Sequence, residues 1–252
     1  MIFSEAIGTF LIVFTIGCSG GDPFAVGGII WCTMIFTRFV SGAIFNPAVT
    51  LSLVVKKLLD KSLKTLDLKL YFIYTVVQFI SGAAGGYLAW KISNFTFFYD
   101  FANNYQSYKV FICEAIYTCI LCLNVHMIGK SSYGLYVETF IIVITVVTGA
   151  KTIGHLSKNC LNPCVGVTMD FIYYLEHGRH FNNVWVYVAG PMTGGVTAAF
   201  ISQFNKNLRE NHQEHFNRSS LIFSPTQQKE LISIVNNDFR YIYKGIYILE
   251  FI

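Results

Sequence analysis

Six long apolar stretches, separated by short polar breaks, constrain this chain more than any other feature of its sequence. They cover residues 2–19, 24–41, 70–90, 109–128, 134–153 and 184–204. Each has about the 20 residues that an α-helix needs to cross the hydrocarbon core of a bilayer. Only 13% of the residues are charged, whereas a soluble domain has about a quarter. The sequence therefore predicts an all-α integral membrane protein with six transmembrane helices.

Two further apolar segments, 46–56 and 162–175, are too short to cross a bilayer, and each begins with Asn-Pro. Proline suits the first turn of a helix, where no backbone N–H is needed, and a preceding Asn can cap that turn. A single Asn-Pro would most simply mark a loop turn. Because the pair occurs twice, each time before an apolar segment, we interpret both segments as re-entrant half-helices.

The two halves of the chain repeat each other. Glu5-Ala-Ile-Gly-Thr opens the first span and Glu114-Ala-Ile-Tyr-Thr opens the fourth, and an Asn-Pro segment follows each of them. The repeats cover about residues 1–60 and 109–175, each with a third span following. Three spans per half is an odd number, so the second copy enters the membrane from the opposite side. Such an inverted repeat builds sites at the bilayer midplane from broken helices.

Loop charges predict the orientation of the chain. Basic residues cluster after the first half-helix and after the last span, at Lys56, Lys57, Lys61, Lys64, Lys69, Lys206 and Arg209. Positively charged loops stay in the cytoplasm, and an even number of spans then places both termini there. We expect residues 1–205 to form the membrane domain and residues 206–252 a cytoplasmic tail. The membrane is either the plasma membrane or that of an organelle.

Four polar residues inside these apolar segments are candidates for function. Placing Glu5 and Glu114 within a membrane costs free energy, so their presence there indicates a specific role. Each could brace the neighbouring half-helix loop by accepting hydrogen bonds from its backbone. Proton transfer is the alternative, although equivalent repeat positions favour the structural role. Asn46 and Asn162 would meet near the midplane, where their amides can donate to a passing water oxygen and two helix N-termini oppose cations.

At this point the residues resemble those of the aquaporin family. Ser41 to Thr50 reads SGAIFNPAVT and is similar to the first signature of that family, Ser-Gly-x-x-x-Asn-Pro-Ala-Val-Thr. Gly8-Thr9-Phe10, Gln78 with Gly82, and the segment from Trp185 to Pro191 also match. The resemblance covers about residues 2–205. It implies six tilted helices plus two half-helices, usually as a homotetramer with one pore per subunit for water and small neutral solutes. The resemblance assigns the pore centre to Asn46, Pro47, Ala48, Asn162, Pro163 and Cys164.

The second signature departs from the family pattern. It reads Asn162-Pro163-Cys164-Val165, where the family usually has Asn-Pro-Ala-Arg. By position, the four selectivity-filter residues are Val26, Ala150, Asn159 and Val165. None is aromatic or His, and valine can neither donate to water nor repel a cation as arginine does. We therefore expect a wider and less polar outer constriction, which admits small neutral solutes and excludes protons less strictly.

Two lysines and one aspartate near these positions have open roles. Lys151 and Lys158 either replace the missing arginine or are solvated loop charges, and the second interpretation is favoured. Asp170, eight residues after Asn162, has no role that the sequence indicates.

Three functions stay open at this stage. The first is a passive channel for water, with small neutral solutes as further cargo. The second is a channel mainly for glycerol, ammonia, urea or peroxide, which the filter favours and the short connection from Asn162 to Trp185 disfavours. The third is a weakly conducting structural membrane protein of the same fold. We expect no enzyme and no cofactor or metal, since the sequence has no paired carboxylates, nucleophile–base set or metal-ligand cluster. The expected partners are membrane lipid, water, small neutral solutes and further copies of the chain, with no nucleic acid.

Overall fold

The structure, a computed structural model, describes residues 1–101, 106–128, 134–178 and 181–222, with side chains described through 212. These ranges contain eight α-helices: α1 (Ile2–Ser19), α2 (Pro23–Ser41), α3 (Pro47–Leu59), α4 (Thr65–Ser93), α5 (Ser107–Met127), α6 (Leu135–Ser157), α7 (Pro163–His177) and α8 (Val184–Ile222). Six are long and apolar enough to cross a membrane. The two others, α3 and α7, have 13 and 15 residues. The predicted fold class is confirmed.

Local sequence explains where most helices begin and end. Asp22 caps α2 by accepting hydrogen bonds from the N–H groups of Phe24 and Ala25, and Pro23 occupies the first turn. Gly20 and Gly42 follow the ends of α1 and α2 with positive φ angles of 63° and 94°. Glycine adopts this left-handed conformation without the steric cost that a Cβ atom brings.

The last helix extends beyond its predicted end. Helix α8 continues to Ile222 instead of ending near residue 204. The reason is local, because residues 205–222 contain no glycine or proline and include several strong helix formers. The chain divides into a compact unit from Met1 to Gln203 and a second unit that begins at Phe204. In the second unit, the described side chains through His212 are exposed. The apolar segment 239–252 lies outside the described residues.

Small residues allow the helices of the first unit to approach closely. Helix α1 packs against α2 and α4, α2 against α6, α5 against α6, and α7 against α4. Gly85 of α4 faces the carbonyl of Phe10 in α1, and Gly194 of α8 faces the carbonyl of Ala115 in α5. Helix association in lipid depends on such close packing, because burying apolar side chains gains little where the solvent is itself apolar.

We expect Gly195→Ala to destabilise the fold by about 1–3 kcal/mol, the usual range for overpacking. A Cβ atom at Gly195 would lie 2.6 Å from the carbonyl oxygen of Ala48, and this atom belongs to the backbone of α3 and cannot rotate away. Thermal unfolding in detergent measures the effect. Gly28→Ala is the matched control, since a Cβ atom there meets nothing within 4 Å. Equal melting temperatures for the two variants would contradict this account of the α3–α8 contact.

Candidate pore

Glu5 holds the loop that precedes α3. Its Oε1 accepts a hydrogen bond from the N–H of Ile44 at 2.9 Å, and its Oε2 accepts one from the N–H of Phe45 at 2.8 Å. The side-chain amide of Gln78 donates to the same Oε2 at 3.0 Å. Glu5 is fully buried, so this carboxylate is compensated by three donors in a region that excludes water.

Glu114 makes the equivalent contacts in the second repeat. Its Oε1 accepts from the N–H of Cys160 at 2.9 Å, and its Oε2 accepts from the N–H of Leu161 at 2.7 Å. It is also fully buried. In both repeats, therefore, one carboxylate binds the N–H groups of two consecutive residues in the half-helix loop.

Both loops have the same strained backbone. Ala43 and Phe45 have φ angles of 51°, and their counterparts Asn159 and Leu161 have φ angles of 55° and 54°. These residues lie three and one positions before Asn46 and Asn162. Residues other than glycine rarely adopt this conformation, which costs on the order of 1–3 kcal/mol each unless the surroundings enforce it. The sequence did not indicate it, because alanine, phenylalanine and leucine rarely adopt a positive φ angle and only Asn159 belongs to a residue type that tolerates it.

Asn46 and Asn162 link the two half-helices, because each bonds to the loop that precedes the opposite half-helix. Each caps its own helix, with Asn46 Oδ1 accepting from the N–H of Ala48 at 2.8 Å and Asn162 Oδ1 accepting from the N–H of Cys164 at 3.0 Å. Each also donates from Nδ2 to the opposite loop. Asn46 donates to the carbonyl of Leu161 at 2.9 Å, and Asn162 donates to the carbonyl of Phe45 at 3.0 Å.

A narrow cavity of about 90 Å³ runs past this Asn pair. Most of its wall is apolar, and the residues that line it are Ile12, Ile16, Val26, Ile30, Met34, Ala43, Ile44, Phe45, Asn46, Val49, Tyr99, Leu121, Val125, Ile142, Val146, Asn159, Cys160, Leu161, Asn162 and Val165. A second cavity, of about 400 Å³, shares Ile44 and Val125 with the first. It is also lined by Arg38, Lys56 and Lys57, so we call it the basic vestibule.

Three of the four sequence-predicted filter residues line the narrow cavity, namely Val26, Asn159 and Val165. Ala150 is not among the lining residues. Helix α6 contributes Ile142 and Val146 instead, and the neighbouring Gly149 faces the side chain of Asn159. Positions 142, 146 and 149 share one face of a helix, because residues three and four apart are neighbours on its surface.

The other residues predicted for the pore centre lie behind the cavity wall. Ala48 and Cys164 are fully buried at the starts of α3 and α7. The Cys164 thiol donates to the carbonyl of Gln78 at 3.0 Å, so it points towards α4. Its sulfur would be 2.6 Å from a Cβ atom at Gly82. Cysteine in place of alanine therefore affects helix packing rather than the lining of the cavity.

Lys151 and Lys158 have different surroundings. Lys151 is exposed, with its Nζ 5.4 Å from the centre of the Phe24 ring. Lys158 donates from Nζ to the carbonyl of Phe98 at 2.8 Å and lies 3.9 Å from the Phe98 ring centre. Burial lowers the pKa of Lys158, and the nearby carboxylates of Asp100 and Asp170 act in the opposite direction. The favoured interpretation of Lys158 as a solvated charge is therefore not what the structure contains, and neither lysine lines the narrow cavity.

Sequence reasoning missed Tyr99 and left Asp170 without a role. Tyr99 comes from the connection between α4 and α5, yet it lines the cavity beside Val165. Its backbone N–H donates to Asp170 Oδ1 at 2.6 Å. No local pattern marks an aromatic residue in a loop as part of a cavity that is built from other segments.

Two inverted repeats, with two half-helices that meet end to end beside a narrow cavity, define a membrane channel. The profile of the family described as Major intrinsic protein matches residues 1–202. The chain belongs to this family, whose members are passive channels for water and small neutral solutes. The resemblance stated from the sequence motifs is thereby confirmed.

Individual relatives agree with the family. Aquaporin A of Dictyostelium discoideum is 28% identical over 229 residues, which cover 79% of this chain and 76% of that protein. The "Probable aquaporin NIP-type" of Nicotiana alata is 24% identical over 229 residues, covering 83% of this chain and 80% of that protein. The X-ray structure of the aquaglyceroporin from Plasmodium falciparum is similar with a TM-score of 0.62 and 17% identity, over 81% of this chain and 96% of that one. This last likeness concerns the fold alone.

Proposed function

We propose that the chain conducts water passively through its narrow cavity, with small neutral solutes as further cargo. The observation that carries this proposal is the crosswise pairing of Asn46 and Asn162 with the carbonyls of Leu161 and Phe45. It supports a pore centre at which two amide groups are held in fixed orientations. Fixed donors can bind a passing oxygen without first having to reorganise.

Each asparagine amide has two N–H donors, and the contact with the opposite loop uses one of them. The second is available to the oxygen of a water molecule in the pore. A water held by both amides must turn its own hydrogens away from them, which interrupts a continuous chain of like-oriented waters. The N-termini of α3 and α7 add partial positive charge at the same place and oppose the passage of cations.

A channel mainly for glycerol, ammonia, urea or peroxide is the second candidate. Val165 favours it, because this residue lines the cavity and can neither donate a hydrogen bond nor repel a charge. The small volume of the cavity, about 90 Å³, favours water and the smallest of these solutes. In either case the residues bind and orient the cargo without chemistry, so we assign no catalytic role to the chain.

We also propose that the chain is a homotetramer with both termini in the cytoplasm. The side chains of Phe3, Phe39 and Phe72 are each at least 70% exposed, and apolar surfaces of this size need lipid or a neighbouring subunit. The basic vestibule, with Lys56 and Lys57, supports a cytoplasmic location for that end of the pore. Asn162, Val165 and the α4–α5 connection would then lie towards the outer side.

We expect proteoliposomes that contain the wild-type protein to shrink severalfold faster than empty vesicles after an osmotic step, as measured by stopped-flow light scattering. The vesicles should then re-swell as ammonia or urea enters them. Re-swelling with glycerol should be slower, because the cavity is narrow. A pH-sensitive dye inside the same vesicles measures proton leakage, which the absence of an arginine at Val165 should increase. Shrinkage no faster than in empty vesicles, with fast glycerol re-swelling, would favour the second candidate. If neither flux exceeds that of empty vesicles, the chain is a structural membrane protein.

A further inference from the structure

Tyr99 lines the same cavity as Val165, the position at which the family usually has arginine. It is only 4% exposed and lines the narrow cavity together with Asn159, Cys160 and Val165. It does not come from a helix or from a half-helix loop, the segments to which the filter residues were assigned. Tyr99, in the described part of the α4–α5 connection before residue 102, contributes an aromatic side chain to the cavity wall.

A buried carboxylate fixes the backbone of Tyr99. Asp170 of α7 is fully buried, and its Oδ1 accepts the hydrogen bond from the N–H of Tyr99 at 2.6 Å. Breaking this bond would leave a buried N–H group without a partner, which is costly. Since α7 begins at the pore centre, this contact ties the loop directly to the half-helix that forms the pore.

The neighbours of Tyr99 are held as well. Lys158 donates to the carbonyl of Phe98, and Asn183 donates to the carboxylate of Asp100 at 3.0 Å. The Tyr99 ring packs against the ring of Tyr187, with 5.6 Å between the ring centres. These contacts hold three consecutive residues, 98–100, in place, so the Tyr99 ring stays in the cavity.

We propose that Tyr99 is the specificity-determining residue of the outer constriction, and that Asp170 and Lys158 are its positioning residues. This inference rests on the proposed channel function and adds the element that selects the cargo by size. Valine at position 165 opens space, and the phenol ring fills part of it without bringing a positive charge. The constriction thus discriminates among neutral solutes by width, accepting water and rejecting branched or longer polyols.

The first test compares Tyr99→Ala with Tyr99→Phe in proteoliposomes. Tyr99→Ala should raise the ratio of glycerol permeability to water permeability roughly tenfold, a size of discrimination that small differences in pocket bulk commonly give. Tyr99→Phe keeps the ring and should leave the ratio near the wild-type value. Tyr108→Ala is the matched control, because that tyrosine is 56% exposed and does not line the cavity. An unchanged ratio in a water-conducting Tyr99→Ala variant would overturn the proposal.

The second test separates positioning from general stability. Asp170→Ala removes the acceptor for the N–H of Tyr99 and should raise the glycerol-to-water ratio in the same direction as Tyr99→Ala. Asp170→Asn keeps an oxygen for this hydrogen bond and should restore the wild-type ratio. Asp170 Oδ2 has no hydrogen-bond partner among the described residues, so an amide can replace the carboxylate there without breaking a further contact. Equal ratios for the two variants would remove Asp170 from this role.

The third test does not depend on conduction and therefore distinguishes failure of this inference from failure of the proposed function. Cys160 lines the cavity next to Tyr99, and its alkylation by iodoacetamide can be followed by mass spectrometry of the peptide. Iodoacetamide should label Cys160 severalfold faster in Tyr99→Ala than in the wild type. The rate at which it labels the exposed Cys18 should not change. A wild type that moves no water, with faster Cys160 labelling in Tyr99→Ala, contradicts only the channel function. Equal Cys160 labelling contradicts the role of Tyr99.

Discussion

Asn46→Asp and Asn162→Asp should each abolish osmotic water permeability while leaving the protein folded. The fold should survive because aspartate caps a helix about as well as asparagine, so the bonds to the N–H groups of Ala48 and Cys164 can remain. The substitution removes the amide N–H donor of the side chain. A carboxylate cannot donate to the carbonyl of Leu161 or Phe45, and it places one electronegative oxygen against that carbonyl in place of the amide nitrogen.

The expected loss is large because the site is buried. Asn46 and Asn162 are 6% and 8% exposed, and a charge in such a place costs several kcal/mol unless it is paired. The variant must either reorganise the loop or hold a cation in the pore, and both raise the barrier for water. A rise of about 3 kcal/mol lowers the flux roughly a hundredfold.

Stopped-flow light scattering measures this flux, with the amount of inserted protein determined for each vesicle preparation. Asn94→Asp is the matched control, because Asn94 follows the end of α4 in an exposed turn outside the cavity. Aspartate also tolerates its positive φ angle. Wild-type permeability in either properly inserted pore variant would show that water does not pass the asparagine pair.

Replacing the buried glutamates should produce the second large effect, and alanine should be worse than glutamine at both positions. Glu5→Ala leaves three donors without an acceptor, those of Ile44, Phe45 and Gln78. Glu114→Ala leaves the N–H groups of Cys160 and Leu161 and the hydroxyl of Ser157 without this acceptor. Each unpaired buried donor costs about 1–3 kcal/mol. Both variants should therefore lower the melting temperature, and both should lose water flux as the strained loops relax.

Glutamine should partly rescue both positions. At either position it keeps one acceptor oxygen but turns an N–H₂ group towards the second backbone donor. At position 5 the neighbouring Gln78 can compensate, since its Oε1 is buried without a hydrogen-bond partner among the described residues. A rotation of the Gln78 amide presents this oxygen to the new N–H₂ group. At position 114 the hydroxyl of Ser157, which is bonded to Glu114, can accept a hydrogen bond from the new N–H₂ group.

Thermal unfolding in detergent and light scattering in vesicles measure these two effects separately. Glu210→Ala serves as the control, because Glu210 is an exposed acid on the surface of α8. The proton-transfer alternative makes the opposite prediction for glutamine, which cannot carry a proton. If Glu5→Gln or Glu114→Gln stops the flux in a stable protein while the alanine variant still conducts, the brace interpretation is wrong.

The helices and their order could be predicted from the sequence, because the patterns that specify them are local. A run of about 20 apolar residues needs no tertiary information to be assigned to a bilayer. Asn-Pro before α3 and α7 specifies a capped helix start, with the side chain of Asn46 or Asn162 bonding to the N–H group two residues on. Repetition of these patterns then implied the inverted arrangement. Ala150 shows the limit, because assignment by position did not resolve which face of α6 meets the cavity.

What the sequence by itself determined is thus the membrane setting, the eight helical segments, their repeat and the residues that cap the half-helices. Only the tertiary structure decided which contacts build the centre of the pore. The crosswise bonds of Asn46 and Asn162, the positive φ angles before them, and the inward position of Tyr99 all depend on partners from distant segments. Glu5, Glu114 and Asp170 accept from the loop N–H groups across 39 to 71 positions of the chain. The carbonyls of Leu161 and Phe45 accept the crosswise bonds across 115 and 117 positions. Local residue types cannot specify such contacts, because each exists only where the folded helices bring a buried acceptor to a particular N–H group.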